Sequence, residues 1–99
     1  MYRIVWEFEP DVGRVAEFER DYGSEGAWAA LFRGGAGYLG TELVRSATDP
    51  SRYRTVDRWI SRSAYEAFRA AFREEYAALD ARSTALTRTE RLVSAVEEP

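Results

Sequence analysis

The chain has 99 residues, enough for one small domain and too few for two cores, and folding buries about 60 to 68 % of the surface of such a chain. It contains no His, Cys, Lys, Asn or Gln, which excludes a Ser-His-Asp triad, a thiolate nucleophile, a Schiff-base lysine, a zinc site with nitrogen or sulfur ligands and a histidine-ligated haem. The formal charge of −3 and the pI near 5.0 argue against a general nucleic-acid binder.

Aromatic side chains must supply most of the core. Phe, Trp and Tyr number 14, against 15 for Leu, Ile and Val together, and a further 15 residues are Ala. The longest apolar run, Ala27 to Phe32, is far too short for a membrane span, and Arg3 and Glu7 interrupt the only candidate for a signal peptide. Without cysteines for disulfides, the expectation is a soluble cytoplasmic protein with one domain over residues 1–99.

The N-terminal part of the chain predicts one strand and two short helices. Apolar residues alternate from Tyr2 to Phe8, which is the period of a strand with one apolar face. From Val12 to Tyr22 they recur at helical spacing, and Gly23 is expected to close this helix in a left-handed cap. Ser24 is the predicted N-cap of a second helix, which ends at the glycine pair 34–35.

The C-terminal part predicts a hairpin, a long helix and a last strand. Segments 38–45 and 53–60 are the hairpin strands, joined by a turn at 48–51. The helix begins at Ser61 or at Ser63, which has capping-box spacing to Glu66. One side of it carries an aromatic stripe and the other, which includes Arg69, reads as a solvated face. Residues 91–96 are the final strand.

This β-α-β-β-α-β order predicts a ferredoxin-like α+β fold, in which a four-stranded antiparallel sheet carries its helices on one face. The first and third strands should lie side by side in the middle. Their helix-facing side would hold Ile4, Trp6, Phe8, Tyr53, Thr55, Asp57 and Trp59. Their other side would hold Val5, Glu7, Glu9, Arg54, Val56, Arg58 and Ile60. Such a mixed face can pair its charges across strands and leave its apolar members to a second copy, so we expect a homodimer through the sheets.

Two nucleotide-binding patterns fail on context. Residues 35–40 match G-x-G-x-x-G, but they follow a helix and open a strand, whereas the dinucleotide motif must do the reverse. RNA-recognition domains share the topology, yet the third strand lacks their glycine and turns its aromatics toward the helices. The glycines are therefore expected to end a helix and begin a strand.

An aromatic set suggests a binding cleft. These rings either form a filled core or, because branched aliphatic residues are few, leave an apolar cavity that binds a small aromatic molecule. The set comprises Trp6, Tyr22, Trp28, Phe32, Trp59, Tyr65, Phe68 and Phe72.

Asp57 is the sharpest single candidate for chemistry. A carboxylate on a central strand beneath helices must be paired or have a raised pKa. It can be an ion pair with an arginine such as Arg33, a cap on the second helix, or a general base at the wall of the cavity.

Several segments together resemble the antibiotic biosynthesis monooxygenase family, and the resemblance covers nearly the whole chain. They are Phe18 to Gly23, Gly26, Trp28, Leu31 to Arg33, Gly37 to Leu43, Asp57 to Ser61, Tyr65 and Phe68. The resemblance implies a dimeric α+β barrel with a cavity between each sheet and its helices. It also implies oxidation of phenols or anthrones to quinones by dioxygen without metal or flavin, so no cofactor is expected.

The resemblance can be carried over residue by residue. Trp59 and Tyr65 match the family's cavity Trp and Tyr, whereas Thr55 replaces the Asn used by quinone-forming members. The haem-degrading branch needs a histidine near Arg69, where there is none. In the catalytic hypothesis Asp57 or Tyr65 takes the phenol proton while Trp59 and Arg33 shield the charge. The alternative is a non-catalytic dimeric binding or interaction module of the same fold.

Overall fold

Four antiparallel strands form one sheet in the order β2-β3-β1-β4, which confirms the predicted ferredoxin-like α+β fold with β1 and β3 in the middle. The computed structural model describes residues 1–99. Its elements are β1 (Tyr2–Pro10), a 3-10 turn (Val12–Arg14), α1 (Val15–Tyr22), α2 (Ala27–Phe32), β2 (Tyr38–Arg45), β3 (Tyr53–Trp59), α3 (Arg62–Ala71), α4 (Arg73–Thr84) and β4 (Thr87–Glu97). No helix has the length and apolarity needed to cross a bilayer.

The register of the central strands sets which side chains face the helices. Ile4 lies opposite Asp57 and Trp6 lies opposite Thr55, while Tyr2 pairs with Trp59. Because opposite residues of an antiparallel pair share a face, the alternating residues of β1 and β3 point to the same side. The predicted helix-facing set is confirmed, since the odd-numbered residues of β3 are all buried.

The long C-terminal helix is two helices, which corrects the prediction of one. Phe72 leaves helical geometry, with φ −112° and ψ 29°, between α3 and α4. No glycine or proline marks this break. Packing explains it instead, because the Phe72 ring stacks on Phe68 at 5.2 Å and abuts Gly34. The aromatic stripe continues across the break, so the sequence pattern shows no interruption.

One of the two predicted N-caps of α3 is confirmed, and the predicted caps at Gly23 and Ser24 are wrong. Ser61, and not Ser63, caps α3 by accepting a hydrogen bond from the Ala64 amide, while Glu66 pairs with Arg62 instead of closing a box. Gly23 is extended, not left-handed.

The second short helix begins at Ala27 with Gly26, and not the predicted Ser24, as its N-cap. A side chain at Gly26 would collide with the carbonyl oxygens of Arg20 and Asp21. The close approach of the α1 backbone therefore requires glycine at the start of α2.

The core is aromatic, as the composition indicates. Nine of the ten residues in its main cluster are Phe, Tyr or Trp, with Ile4 the exception. Trp59 is fully buried, and its ring contacts those of Phe32, Tyr38, Tyr65 and Phe68 at 5.1 to 5.8 Å. The rings pack against Gly35, where a Cβ atom would come within 2.9 Å of both Trp59 and Phe68.

The outer face of the sheet carries charge pairs around a small apolar centre. Glu7 pairs with Arg54 at 3.3 Å and with Arg91 at 3.1 Å, which confirms cross-strand pairing on this face. Val5 and Val56 lie directly opposite each other, next to the Glu7–Arg54 pair. We call the face formed by the outward residues of all four strands the outer face.

Replacing Trp59 by Ala is expected to lower the free energy of unfolding by about 3 to 5 kcal/mol, because it empties a fully enclosed site. Trp6→Ala is the matched control, since Trp6 is only half-buried and its loss costs less. Urea unfolding of both variants measures this, and equal midpoints for the two would contradict the assigned burial.

Candidate functional site

A cavity of about 270 Å³ lies between the sheet and the helices. Its volume is near the lower end of the range for small-molecule sites, which is roughly 300 to 1,000 Å³. Six of the residues predicted for the site line it. They are Trp6, Tyr22, Trp28, Phe32, Asp57 and Tyr65. The aromatic set is therefore in part an open cavity, and Ile4 and Phe8 complete its apolar wall.

Four other predicted site residues do not line this cavity. Trp59, Phe68 and Phe72 belong to the packed layer beside it, where glycines 34 and 35 let α2 approach α3. Arg33 lies at the surface, donating to the Glu25 carboxylate at 2.9 Å and to the Ser24 carbonyl at 3.1 Å. The predicted ion pair between Arg33 and Asp57 is therefore not formed.

Asp57 is held by a chain of hydroxyl groups. Thr41 on β2 lies opposite Asp57 in the register and donates to its Oδ1 at 2.6 Å. The Tyr38 hydroxyl is 2.6 Å from the same Thr41 oxygen. Since Thr41 has one hydroxyl hydrogen and gives it to Asp57, Tyr38 must be the donor of the second bond.

The Asp57 carboxylate has no cationic partner. It is 7 % exposed, forms no salt bridge, and takes no hydrogen bond at Oδ2. Burial disfavours its charged form and raises its pKa to about 6, against which the Thr41 bond acts in the opposite direction. A carboxylate with such a pKa, open to an aromatic cavity, can accept a proton from a bound molecule near neutral pH.

Arg69 and two tyrosines form one side of the mouth of the cavity. The guanidinium of Arg69 lies 3.7 Å from the centre of the Tyr76 ring and donates to the Tyr65 hydroxyl at 3.0 Å. This contradicts the interpretation of Arg69 as part of an ordinary solvated face. The contact fixes the Tyr65 hydroxyl at the cavity.

Asp80 on α4 and Glu90 on β4 also line the cavity. Both are exposed, and neither forms a salt bridge or a side-chain hydrogen bond. Partial burial, with the Asp80 charge as a smaller cause, raises the pKa of Glu90. The mouth thus carries two carboxylates and one stacked arginine.

Besides Ile4 and Phe8, six lining residues were not among the predicted site residues. They are Thr41, Thr55, Arg69, Tyr76, Asp80 and Glu90. The hairpin register could have identified Thr41, because a symmetric turn between β2 and β3 sets it opposite Asp57. Arg69 follows Tyr65 by one helical turn, so it had to lie near any cavity that Tyr65 lines.

The structure offers no metal-binding cluster, since no three His, Cys, Asp or Glu side chains converge. Gly35 and Gly37 lie between α2 and β2 and Gly40 lies near the start of β2, as expected for the end of a helix and the start of a strand. Gly37 has a φ of 92°, and a Cβ there would also meet Ile60 at 2.6 Å.

A family model for antibiotic biosynthesis monooxygenases matches residues 1–82 of this chain. The chain belongs to the antibiotic biosynthesis monooxygenase family. This confirms the resemblance found in the sequence. No curated protein sequence matches significantly.

Solved structures agree with the fold at low sequence identity. A protein from Bordetella bronchiseptica, assigned to the antibiotic biosynthesis monooxygenases, is 21 % identical with a TM-score of 0.75, covering 99 % of this chain and 96 % of its own. A similar protein from Deinococcus radiodurans is 15 % identical with a TM-score of 0.75, covering 100 % and 93 %. SnoaB from Streptomyces nogalater, a cofactor-independent oxygenase, is 23 % identical with a TM-score of 0.70, covering 98 % and 94 %.

The raised pKa of Asp57 makes stability depend on pH. An unfolded aspartate titrates near about pH 4, so between there and about pH 6 the folded chain holds more protons at this site than the unfolded chain does. Stability is therefore lost as pH rises through this window, by roughly 2 to 4 kcal/mol.

Asp57→Asn should abolish this loss, because the amide stays neutral and still accepts the Thr41 bond. Urea unfolding at about pH 4 and about pH 7 is expected to show the variant gaining those roughly 2 to 4 kcal/mol relative to the native chain as the pH rises. Glu75→Gln on the exposed side of α4 is the control and should follow the native profile. Parallel profiles for Asp57→Asn and the native chain would contradict the uncompensated burial.

Proposed function

We propose that this protein is a cofactor-independent monooxygenase that oxidises an electron-rich aromatic molecule, a phenol or anthrone, with dioxygen. One observation carries the proposal: the Asp57 carboxylate, buried and without a cationic partner, opens into an aromatic cavity. Family membership supports the reaction class, and SnoaB is described as a cofactor-independent oxygenase.

The proposed reaction needs a base and no further oxidant than dioxygen. Asp57 takes a proton from the hydroxyl of a phenol or the ring methylene of an anthrone. The resulting anion gives one electron to dioxygen, the substrate radical and superoxide combine to a peroxide anion, and Asp57 returns the proton to give a hydroperoxide. Loss of water, which takes the remaining hydrogen from the same carbon, leaves a quinone carbonyl. One oxygen atom enters the product and the other leaves as water.

The other lining residues bind and orient. The rings of Trp6, Trp28 and Phe32 offer apolar faces to a planar molecule, and the half-buried Tyr65 hydroxyl is held by Arg69. Trp59 touches Tyr65 with its ring at 5.6 Å and does not line the cavity, so it is a positioning residue in this proposal. Arg33 has no part in it, because its charge is paired at the surface.

A non-catalytic binding module is the second candidate. The observation in its favour is Thr55, which lines the cavity where the quinone-forming members of the family resemble one another in using Asn. A module of this kind would bind the same planar molecules in the same cavity and leave dioxygen unconsumed.

Oxygen consumption with a hydroxylated anthrone tests the proposal. The native protein is expected to accelerate dioxygen uptake, and Asp57→Asn should lower kcat by about 100-fold or more, in the usual range for removal of a general base. Glu75→Gln should behave as the native protein, since it lies outside the cavity. Saturable quenching of tryptophan fluorescence without dioxygen uptake would leave the binding module as the better account.

We also propose that two copies pair through their outer faces. Val5 is buried and Val56 is half-buried at the centre of the face, while Val44 and Val96 are 48 % and 45 % exposed. The flanking acids Glu7 and Glu9 already have arginine partners, so the face can be covered without leaving these charges unpaired.

Val56→Glu should dissociate such a dimer by placing an unpaired charge at its centre. Light scattering on a sizing column is expected to give a dimer mass for the native chain and a monomer mass for this variant. Val12→Glu is the control, because Val12 is 81 % exposed on the 3-10 turn, away from the sheet. A native monomer at micromolar concentration would refute the pairing.

A further inference from the structure

The cavity has an unbalanced charge. Three carboxylates line it, those of Asp57, Asp80 and Glu90, against the single guanidinium of Arg69. The chain has 14 arginines, and 13 of them lie elsewhere. On the outer face, by contrast, Glu7 and Glu9 each contact at least two arginines. The acids of the outer face are thus paired, whereas the three acids of the cavity form no salt bridge.

Arg69 neutralises the cavity only in part, because the charge of Asp80 acts on its guanidinium without a salt bridge between them. Its guanidinium is stacked on the Tyr76 ring and hydrogen-bonded to the Tyr65 hydroxyl, and it forms no salt bridge. The deepest carboxylate, Asp57, is 7 % exposed and its Oδ2 takes no hydrogen bond. A buried oxygen of this kind, open to a cavity, calls for a donor that the protein does not supply.

The charges of the acids at the mouth influence the pKa of tyrosines inside the cavity. Burial raises the pKa of Tyr22 to about 12, and the charges of Glu90 and Asp80 act in the same direction. The pKa of Tyr76 is also raised, first by burial and then by Tyr65 and Asp80, while the positive charge of Arg69 acts in the opposite direction. The acids at the mouth therefore act on groups inside the cavity, as expected where aromatic walls exclude water.

We propose that the cavity takes an aromatic molecule bearing a protonated amine, with its ring hydroxyl at Asp57 and its ammonium group at Asp80 and Glu90. This rests on the proposed function for the ring and goes beyond it for the charge. Carboxylates attract the ammonium group directly, and the faces of the surrounding rings favour a cation as well. An anionic molecule would meet three like charges and only one arginine, which is already engaged.

An ammonium group also helps the proposed chemistry. The negative field of the cavity opposes formation of a phenolate, just as it opposes ionisation of Tyr22. A cation on the substrate offsets that field where the anion must form. The substrate would thus bring a second positive charge into a cavity where the chain places only that of Arg69.

Three para-substituted phenols of similar size test the proposal on the native protein. They are tyramine, para-ethylphenol and para-hydroxyphenylpropanoate, which are cationic, neutral and anionic at neutral pH. Calorimetric titration without dioxygen is expected to give tyramine an affinity about tenfold or more above that of para-ethylphenol, with the carboxylate weakest. Added salt should weaken the binding of tyramine and leave the binding of para-ethylphenol unchanged.

The double variant Asp80→Asn/Glu90→Gln should reduce the affinity for tyramine to that for para-ethylphenol. The affinity for para-ethylphenol should not change. Glu74→Gln/Glu75→Gln is the matched control, because it removes the same charge from the exposed part of α4 and should keep the preference. Both sites of the test variant are exposed, so folding should survive, and the three-ligand series on the native chain decides independently of it.

Equal affinities for the three phenols, tighter binding of the carboxylate, or no binding of tyramine at millimolar concentration would overturn the proposal. Because binding is measured without dioxygen, failure of the oxygenase is a separate result. Selective binding of tyramine with no oxygen uptake from any phenol or anthrone would keep the cation site and refute the reaction. Oxygen uptake without charge selectivity would do the reverse.

Discussion

A carboxylate buried without a cation governs the arrangement of this molecule. Asp57 stands on a central strand, beneath helices, and a single hydroxyl from Thr41 is its only hydrogen-bond donor. In a sealed core such a group would cost several kcal/mol of stability or lose its charge. The cavity in front of it keeps Oδ2 accessible. Asp57 and the cavity are thus linked, because the open space lets Oδ2 meet a hydrogen-bond donor that the chain does not supply.

The aromatic residues divide into a packed layer and an open one. Around Trp59 the rings close completely, because glycines 34 and 35 let α2 approach α3. Trp28 packs against the rings of Tyr22, Phe32 and Tyr76 at 5.0 to 6.2 Å, and together with the half-buried Trp6 it also lines the cavity. The packed layer gives the open one its rigidity, and Tyr65 joins them by touching Trp59 on one side and lining the cavity on the other. This division places a binding surface in a domain of only 99 residues.

Periodicity was enough to predict the order of elements and the face of each central strand, because one side of this sheet is strongly apolar. Periodicity could not predict which of the helix-facing side chains are enclosed and which line the cavity. Asp57 and Trp59 share a face and differ by two residues, yet one opens into the cavity and the other is enclosed by four rings. That difference depends on where α2 and α3 meet.

The remaining errors have local causes. The helix break at Phe72 lies within a continuous aromatic stripe, so no residue type in the sequence indicates it. Arg33 and Arg69 look alike in the sequence, but Glu25 holds the first at the surface and the Tyr76 ring holds the second at the cavity. An arginine's partner is chosen by tertiary contacts that spacing alone does not reveal.

The most direct test is a titration of the aspartate carboxyl carbons by NMR, with Asp57→Asn used to assign the signal of Asp57. The account predicts a midpoint near 6 for this residue, moving to higher pH when Thr41→Val removes its hydrogen-bond donor. A midpoint near about 4, the value of an unperturbed aspartate, would show that the carboxylate is already compensated and would contradict the account.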